Sequence, residues 1–435
     1  MKHLIPSALL LFASTVFAGQ PGEGTPPPEA VKHWQDARFG MFIHWGPVSL
    51  KGTEIGWSRG KEVPIEEYDN LYKQFNPTKF NADEWVAIAK AAGMKYLVLT
   101  TKHHDGFCLW DSKLTDYDIM STPFKRDIVK ELAAACKKGG IDFGAYYSTC
   151  DWRHPAFPLG SPGGNSKNPN PDMDAYDKYL RGQTAELLTH YGPISTLWFD
   201  MPQVYTAKWG IPMVAGLRQL QPNVLVNSRA YALPGHRNIT HAPVGDYGTP
   251  EKHIGAFNME RPWESCMTLC EQWAWKPNDK MKSIKECLQT LIRANGGNGN
   301  LLFNVGPMPD GRIEPRQVER LKEMGDWLKT RGESVYGTRG GPWIVTKNIA
   351  STRKGDKIYV HLFDFTGDSI ALTALPVTVK SARMLNGSAI THESKDGTLR
   401  LVIPKDAIDP IDTVIELTIE GNALDLAPLP ALING

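Results

Sequence analysis

Short, almost wholly apolar runs alternate with helix-period segments over most of this chain. The runs at 39–43, 96–101, 143–148, 196–199, 224–226 and 301–305 contain few polar positions, so as strands they need cover on both faces. Between them, 82–92, 127–138, 174–191, 207–220, 282–294 and 314–331 repeat apolar residues every three or four positions, the spacing of one helix face. Alternation of this kind builds a parallel sheet wrapped by helices, and an α/β fold closed as a (β/α)8-like barrel is its natural form. Six or seven units are legible; the eighth is expected to be irregular. Past Gly341 the texture changes to short strand-like segments at 343–345, 357–362, 370–372, 381–384 and 399–403, separated by Gly, Asp and Pro turns. This predicts a C-terminal β-sandwich over 341–435 after a catalytic barrel over 19–340, with the boundary near 336–342.

Length and charge agree with that division. The 435 residues accommodate a barrel of roughly 250 residues and a smaller partner. With 48 Lys and Arg against 47 Asp and Glu, the chain has no broad basic footprint for a nucleic acid partner. The first 18 residues read as a secretory signal: Lys2 and His3, an apolar run over 4–17, and the small-residue exit Val16-Phe17-Ala18. Export to a periplasm or the outside is therefore expected, and no other apolar run is long enough to span a membrane. The six cysteines (Cys108, Cys136, Cys150, Cys266, Cys270 and Cys287) show no C-x-x-C spacing. They are expected to be mostly free, buried thiols, and no zinc or other metal site is expected. The Pro-, Gly- and Asn-rich connection over 153–171 follows a strand and is expected on the catalytic face, where it could form part of a lid.

Functional side chains of such barrels stand at the C-terminal ends of the strands. That rule selects His44-Trp45, Lys102-His103-His104-Asp105, Tyr146-Tyr147, Asp151-Trp152, Trp198-Phe199-Asp200, Asn227-Ser228-Arg229, Asp246 to Glu251, Trp263-Glu264 and Trp273. Carboxylates, neutral hydrogen-bonding groups and indoles on one rim are what glycoside hydrolysis requires. Two acids flank the scissile bond, polar groups hold the hydroxyls, and aromatic faces cover the apolar side of the sugar.

Five phrases, in order, resemble the α-L-fucosidases of glycoside hydrolase family 29. They are Arg38-Phe39-Gly40-Met41-Phe42-Ile43-His44-Trp45-Gly46, Lys102-His103-His104-Asp105-Gly106-Phe107-Cys108-Leu109-Trp110, Gly144-Ala145-Tyr146-Tyr147-Ser148, Leu197-Trp198-Phe199-Asp200 and Asn300-Leu301-Leu302-Phe303-Asn304-Val305-Gly306-Pro307. The resemblance implies a retaining exo-glycosidase acting on terminal α-L-fucose of glycans, on a barrel with a C-terminal β-sandwich and without a cofactor. It implies Asp200 as nucleophile. For the acid/base it favours Glu251, in a segment closer to the broad-specificity branch than to the linkage-restricted one, with Glu264, Glu54 and Asp246 as rivals. Sugar contacts are implied for His44, His103, His104, Tyr146, Trp198 and Arg229, and Trp273 is the expected wall for the C6 methyl. Glu54-Ile55-Gly56-Trp57 departs from the family's frequent adjacent Glu-Trp pair, which leaves open whether Glu54 or Trp57 reaches the sugar. Three other readings compete: a glycosidase for a related sugar such as an α-L-galactoside, a non-catalytic sugar-binding protein on this scaffold, and a metal-dependent hydrolase using His44, His103, His104 and Asp200.

Overall fold

The computed structural model describes residues 20–158, 168, 170–236, 238–385 and 387–431. The expected signal segment 1–18, positions 159–167 and 169 of the long connection, and Asn386 lie outside the described residues.

Seven parallel strands form one sheet: β1 (Phe39–Ile43), β2 (Tyr96–Lys102), β3 (Asp142–Ser148), β4 (Thr196–Asp200), β5 (Leu225–Val226), β6 (Glu264–Thr268) and β7 (Asn300–Val305). Their order is β5-β4-β3-β2-β1-β7-β6. Residues 247–251 fill the space between β5 and β6 through isolated parallel bridges, Asn227 to Tyr247, Gly248 to Trp263 and Glu251 to Cys266. The eighth unit of the barrel is thus an irregular segment, as its composition requires. Pro250 has no N–H to donate to a ladder, and Gly248 has no side chain to pack.

Strand β6, Glu-Ser-Cys-Met-Thr, escapes sequence reading because it has neither an apolar run nor a branched one. The helices are α1 (Pro28–Ala37), α2 (Ile65–Asn70), α3 (Ala82–Ala91), α4 (Ile128–Gly139), α5 (Met173–His190), α6 (Ala207–Leu220), α7 (Ile284–Gly296) and α8 (Pro315–Arg331). Their starts are capped locally. Asn81 and Asp127 accept main-chain N–H groups of the first turns of α3 and α4, and Ser283 with Glu286 forms a reciprocal capping box on α7.

Alternation along the strands decides which side chains meet the substrate. Phe42, Val98, Tyr146, Trp198, Leu225, Cys266 and Leu302 pack together inside the barrel. Their neighbours Met41, Ile43, Leu97, Leu99, Tyr147, Leu197 and Phe199 pack outward with the helices. The period of two then carries His44 and Asp200, two residues beyond Phe42 and Trp198, inward at the rim. Below, Trp34 of α1 lies 4.5 Å from the ring of Tyr247 and helps close the floor.

Beyond the barrel, β8 (Arg339–Gly340), β9 (Ile349–Lys354), β10 (Lys357–Phe363), β11 (Ser369–Thr373), β12 (Val379–Met384), β13 (Thr391–Lys395), β14 (Thr398–Val402) and β15 (Asp412–Ile419) make two antiparallel sheets, ordered β12-β15-β10-β9-β8 and β11-β14-β13. Their shared core includes Trp343, Ile358, Val360, Leu399, Ile415 and Leu417. The segment 343–345 is not a strand; Trp343 makes one bridge to Leu429. Polar contacts tie these sheets to the barrel helices, with Gln289 donating to the Ile411 carbonyl at 3.0 Å and Arg331 pairing with Asp409 at 2.8 Å.

Candidate active site

A cavity of about 130 Å³ opens at the C-terminal ends of the strands, lined by Phe42, His44, Trp57, His103, His104, Tyr146, Trp198, Asp200, Met201, Arg229, Ile239, Glu251, Cys266 and Trp273. A larger cavity of about 560 Å³ lies at the other end of the barrel against α1, and none of these residues reaches it. Two of its titratable groups, His33 and Asp142, pair with each other at 2.6 Å.

Asp200 closes β4 and is surrounded by donors. Arg229 Nη1 reaches its Oδ1 at 2.9 Å, Tyr146 O–H its Oδ2 at 3.0 Å, and the Met201 N–H its Oδ1 at 2.9 Å. Burial acts to raise the pKa of this carboxyl, but the Arg229 charge, His104 and the bonds from Arg229 and Tyr146 together hold it below the ordinary value. Asp200 is therefore an anion at neutral pH.

Arg229 is itself pinned. Its Nε donates to Thr249 Oγ1 at 2.8 Å and its Nη2 to the Thr249 carbonyl at 2.9 Å. Its Nη1 donates to both Asp200 Oδ1 and Glu251 Oε2, each at 2.9 Å. The irregular segment that completes the barrel thus brings Glu251 against Asp200.

The histidines are held neutral by burial, which pushes His44 down to about 3 and His104 to about 4, and lowers His103 as well. Asn304 donates to the Trp273 carbonyl through Nδ2, so its Oδ1 faces His44 Nδ1 at 2.6 Å. Nδ1 of His44 then carries the proton, and Nε2 is left to accept from a hydroxyl. The adjacent pair His103-His104 reaches one cavity because β2 has ended at Lys102; the two rings lie 3.8 Å apart. Gly56, at φ 65°, allows His103 its place, since a Cβ there would stand 2.8 Å from the His103 Nδ1. Trp198 stacks on Tyr146 with centroids 5.5 Å apart, and the Arg229 guanidinium lies 4.9 Å from its ring.

Among the described residues, no three His, Cys, Asp or Glu side chains converge as metal ligands. All six cysteines are buried and unpaired. The arrangement is an anionic carboxylate, a second and more exposed carboxylate beside it, neutral hydrogen-bonding rings, and an aromatic floor.

Residues 25–333 match the family model described as Alpha-L-fucosidase. The chain belongs to the α-L-fucosidase family. As an α-L-fucosidase it is a glycoside hydrolase of family 29. It is 33% identical over 363 residues to the human plasma alpha-L-fucosidase, covering 75% of this chain and 74% of that one. Alpha-L-fucosidase isoenzyme 1 from Paenibacillus thiaminolyticus superposes with a TM-score of 0.82 at 36% identity, over 90% of this chain and 99% of that one. A family 29 alpha-L-fucosidase from Bacteroides thetaiotaomicron, solved as a trapped covalent intermediate with 2-fluoro-fucosyl fluoride, superposes with a TM-score of 0.83 at 29% identity, covering 93% and 99%.

Within this fucosidase framework three rival carboxylates fall away from the cavity. Glu264 is the first residue of β6, paired in register with the first residue of β7, and it lies two residues, roughly 7 Å, on the floor side of Cys266, the position that lines the cavity and bridges to Glu251. There it is fully buried, bonded by Tyr96 O–H and, at 3.0 Å, by Trp198 Nε1. Asp246 is paired with Arg218 at 2.7 Å and accepts the Val226 N–H. Glu54 does not line the cavity; its carboxylate accepts the N–H groups of Ile55, Trp273 and Ala274. Trp57, in contrast, lines the cavity edge-on to His104, with centroids 5.4 Å apart.

Four lining residues were not singled out from the sequence: Phe42, Met201, Ile239 and Cys266. Parity along β1 selects Phe42, and adjacency to Asp200 selects Met201. Cys266 lies on β6, which has no strand pattern, and Ile239 sits between Asn238 and Thr240 in the irregular connection after β5. Of the long connection, Arg153, His154 and Pro155 line a separate cavity with Tyr117 and Tyr179 rather than the catalytic one.

Proposed function

We propose that the chain is an exported, retaining exo-α-L-fucosidase that releases terminal α-L-fucose from glycans or glycoconjugates, with Asp200 as nucleophile and Glu251 as acid/base. The observation that carries this reading is the shared nitrogen: Asp200 Oδ1 and Glu251 Oε2 both accept from Arg229 Nη1 at 2.9 Å, so these oxygens are no farther apart than twice that distance. Retaining glycosidases hold their carboxyls about 5–5.5 Å apart and inverting ones about 6.5–9.5 Å, to leave room for a water. The spacing favours direct attack. The covalent intermediate trapped in the Bacteroides relative supports the same course.

In this mechanism Asp200, kept ionised by Arg229 and Tyr146, attacks the anomeric carbon while Glu251 protonates the departing oxygen; Glu251 then deprotonates the water that releases fucose. His44, His103, His104, Tyr146 and Arg229 hold the hydroxyls. Trp198 lies beneath, and Trp273 forms the wall at C6, where fucose carries a methyl. The closed floor restricts the site to chain ends. Export rests on the apolar start of the sequence.

Turnover of a chromogenic α-L-fucoside, with ¹H NMR showing the α-anomer as first product, is the expected result. A β-anomer first product, or faster turnover of the matching α-L-galactoside, would overturn the reading. Activity that survives a chelator separates it from a metal-dependent hydrolase.

A further inference from the structure

We propose that the leaving-group side of the catalytic cavity continues into a basic annex, formed by Lys252, Lys280 and Lys282, that receives an anionic substituent on the glycan bearing the fucose. The annex is a cavity of about 350 Å³ whose polar lining is these three lysines, Thr268, Glu271 and Glu286. The inference rests on the role proposed for Glu251. An acid that protonates the glycosidic oxygen stands on the side where the rest of the glycan leaves, and Lys252 is the next residue.

The two cavities share a wall. Cys266 and Trp273 line the catalytic one, while Met267 and Thr268, the residues that follow Cys266 on β6, line the annex. The Lys252 N–H is fastened to the Cys266 carbonyl at 3.0 Å. Its ammonium lies 5.5 Å from the Trp273 ring. Lys252 stands at φ 55°, a left-handed conformation uncommon for a residue with a Cβ, and such outliers concentrate at functional sites.

The charge facing the annex is unbalanced. Neither Lys252 nor Lys280 enters an ion pair among the described residues, and Lys282 Nζ donates to the Thr268 carbonyl at 2.5 Å. Of the two carboxylates, Glu286 is occupied in the capping box, where its Oε2 accepts both the N–H and the O–H of Ser283 at 2.7 Å. Glu271 is the other. Burial lowers the Lys282 pKa; the Glu286 charge opposes that lowering and the nearby Lys252 charge adds to it, and with one of the two carboxylates held in the cap the three lysines keep a net positive face. A carboxylate or a sulfate ester on the sugar next to fucose supplies that counter-charge.

The test compares a neutral fucosylated trisaccharide with two analogues, one carrying a sialic acid and one a sulfate ester beyond the fucosidic bond. At low salt the matching anionic analogue is expected to show a kcat/KM about 3- to 10-fold above the neutral one, falling to parity near 0.5 M salt as screening removes it. Whichever arm responds separates carboxylate from sulfate. Lys280→Glu, an exposed position away from the reacting atoms, should abolish or invert the preference and leave turnover of a chromogenic aryl fucoside unchanged. Calorimetric affinity of Asp200→Asn for the three glycans reads the same ratio without turnover. An affinity ratio in Asp200→Asn beside a parent enzyme that hydrolyses none of the three glycans and no aryl fucoside would support the annex and remove the fucosidase reading. Equal handling of all three glycans beside normal aryl fucoside turnover, or a preference unchanged in Lys280→Glu, would overturn the annex alone.

Discussion

Asp200 and Glu251 accept hydrogen bonds from one and the same nitrogen, Arg229 Nη1, each at 2.9 Å. One is nearly enclosed and the other is 39% exposed at its side chain. Two acids of the same kind are thereby given different access to water, and the proposed division of labour follows from that difference: attack from within, proton exchange at the mouth.

Asp200→Asn removes the charge but keeps the shape and most hydrogen bonds. Turnover of a chromogenic α-L-fucoside should fall by at least about a thousandfold, as for loss of other covalent nucleophiles. The melting temperature should show that the fold survives. Activity within tenfold of the parent would reassign the nucleophile.

For Glu251→Ala the expected signature depends on the leaving group. Fucosides of acidic phenols need little protonation and should lose less rate than natural glycans, by roughly two orders of magnitude. Added azide, which fills the vacated space and needs no general base, should restore rate and give a fucosyl azide. A uniform loss across leaving groups, without azide rescue, contradicts the assignment.

Arg229 sets the acid limb. Because its charge helps hold the Asp200 pKa below the usual 3.8, kcat/KM should decline only in strongly acidic solution as Asp200 takes up a proton. In Arg229→Met that support is gone, burial dominates, and the limb should move upward. An unmoved limb in a full pH profile would show that Arg229 does not control this carboxyl.

Glu264 predicts a pH-dependent stability. Burial raises its pKa from 4.5 to about 7 in the folded chain. Between those values the folded state keeps a proton that the unfolded state has released, so stability falls as pH rises from 4.5 towards 7 and then levels. The effect is of order 3 kcal/mol. Glu264→Gln cannot ionise, and its denaturation midpoint should lose this slope. Since Trp198 donates to Glu264 and lies under the sugar, KM should also be watched across the same range.

Glu54 acts through the backbone of Trp273. Glu54→Ala leaves the Ile55, Trp273 and Ala274 N–H groups without their acceptor, at a cost of about 1–3 kcal/mol. KM should rise more than kcat falls if the Trp273 wall is displaced. Unchanged KM in a folded variant would detach Glu54 from the site.

Much of this protein can be read from local order alone. Apolar strands covered on both faces demanded an α/β barrel, and the rule that functional side chains stand at the C-terminal ends of its strands selected His44 and Asp200. The ends of β2 and β4 put His103, His104 and Asp200 on one rim for the same reason. What local order did not contain was the choice among acids. Glu264 and Glu251 are thirteen positions apart and similar in context, yet one begins a strand at the barrel floor and the other ends the irregular segment at its mouth. That outcome depends on where β6 starts and on its register with β7, set by long-range pairing and by the packing of Tyr96 and Trp198 on the buried carboxyl. Five residues without an apolar pattern carry no trace of either; the family resemblance favoured Glu251, but only the tertiary structure brings it against Asp200 and turns Glu264 away, because that depends on long-range pairing.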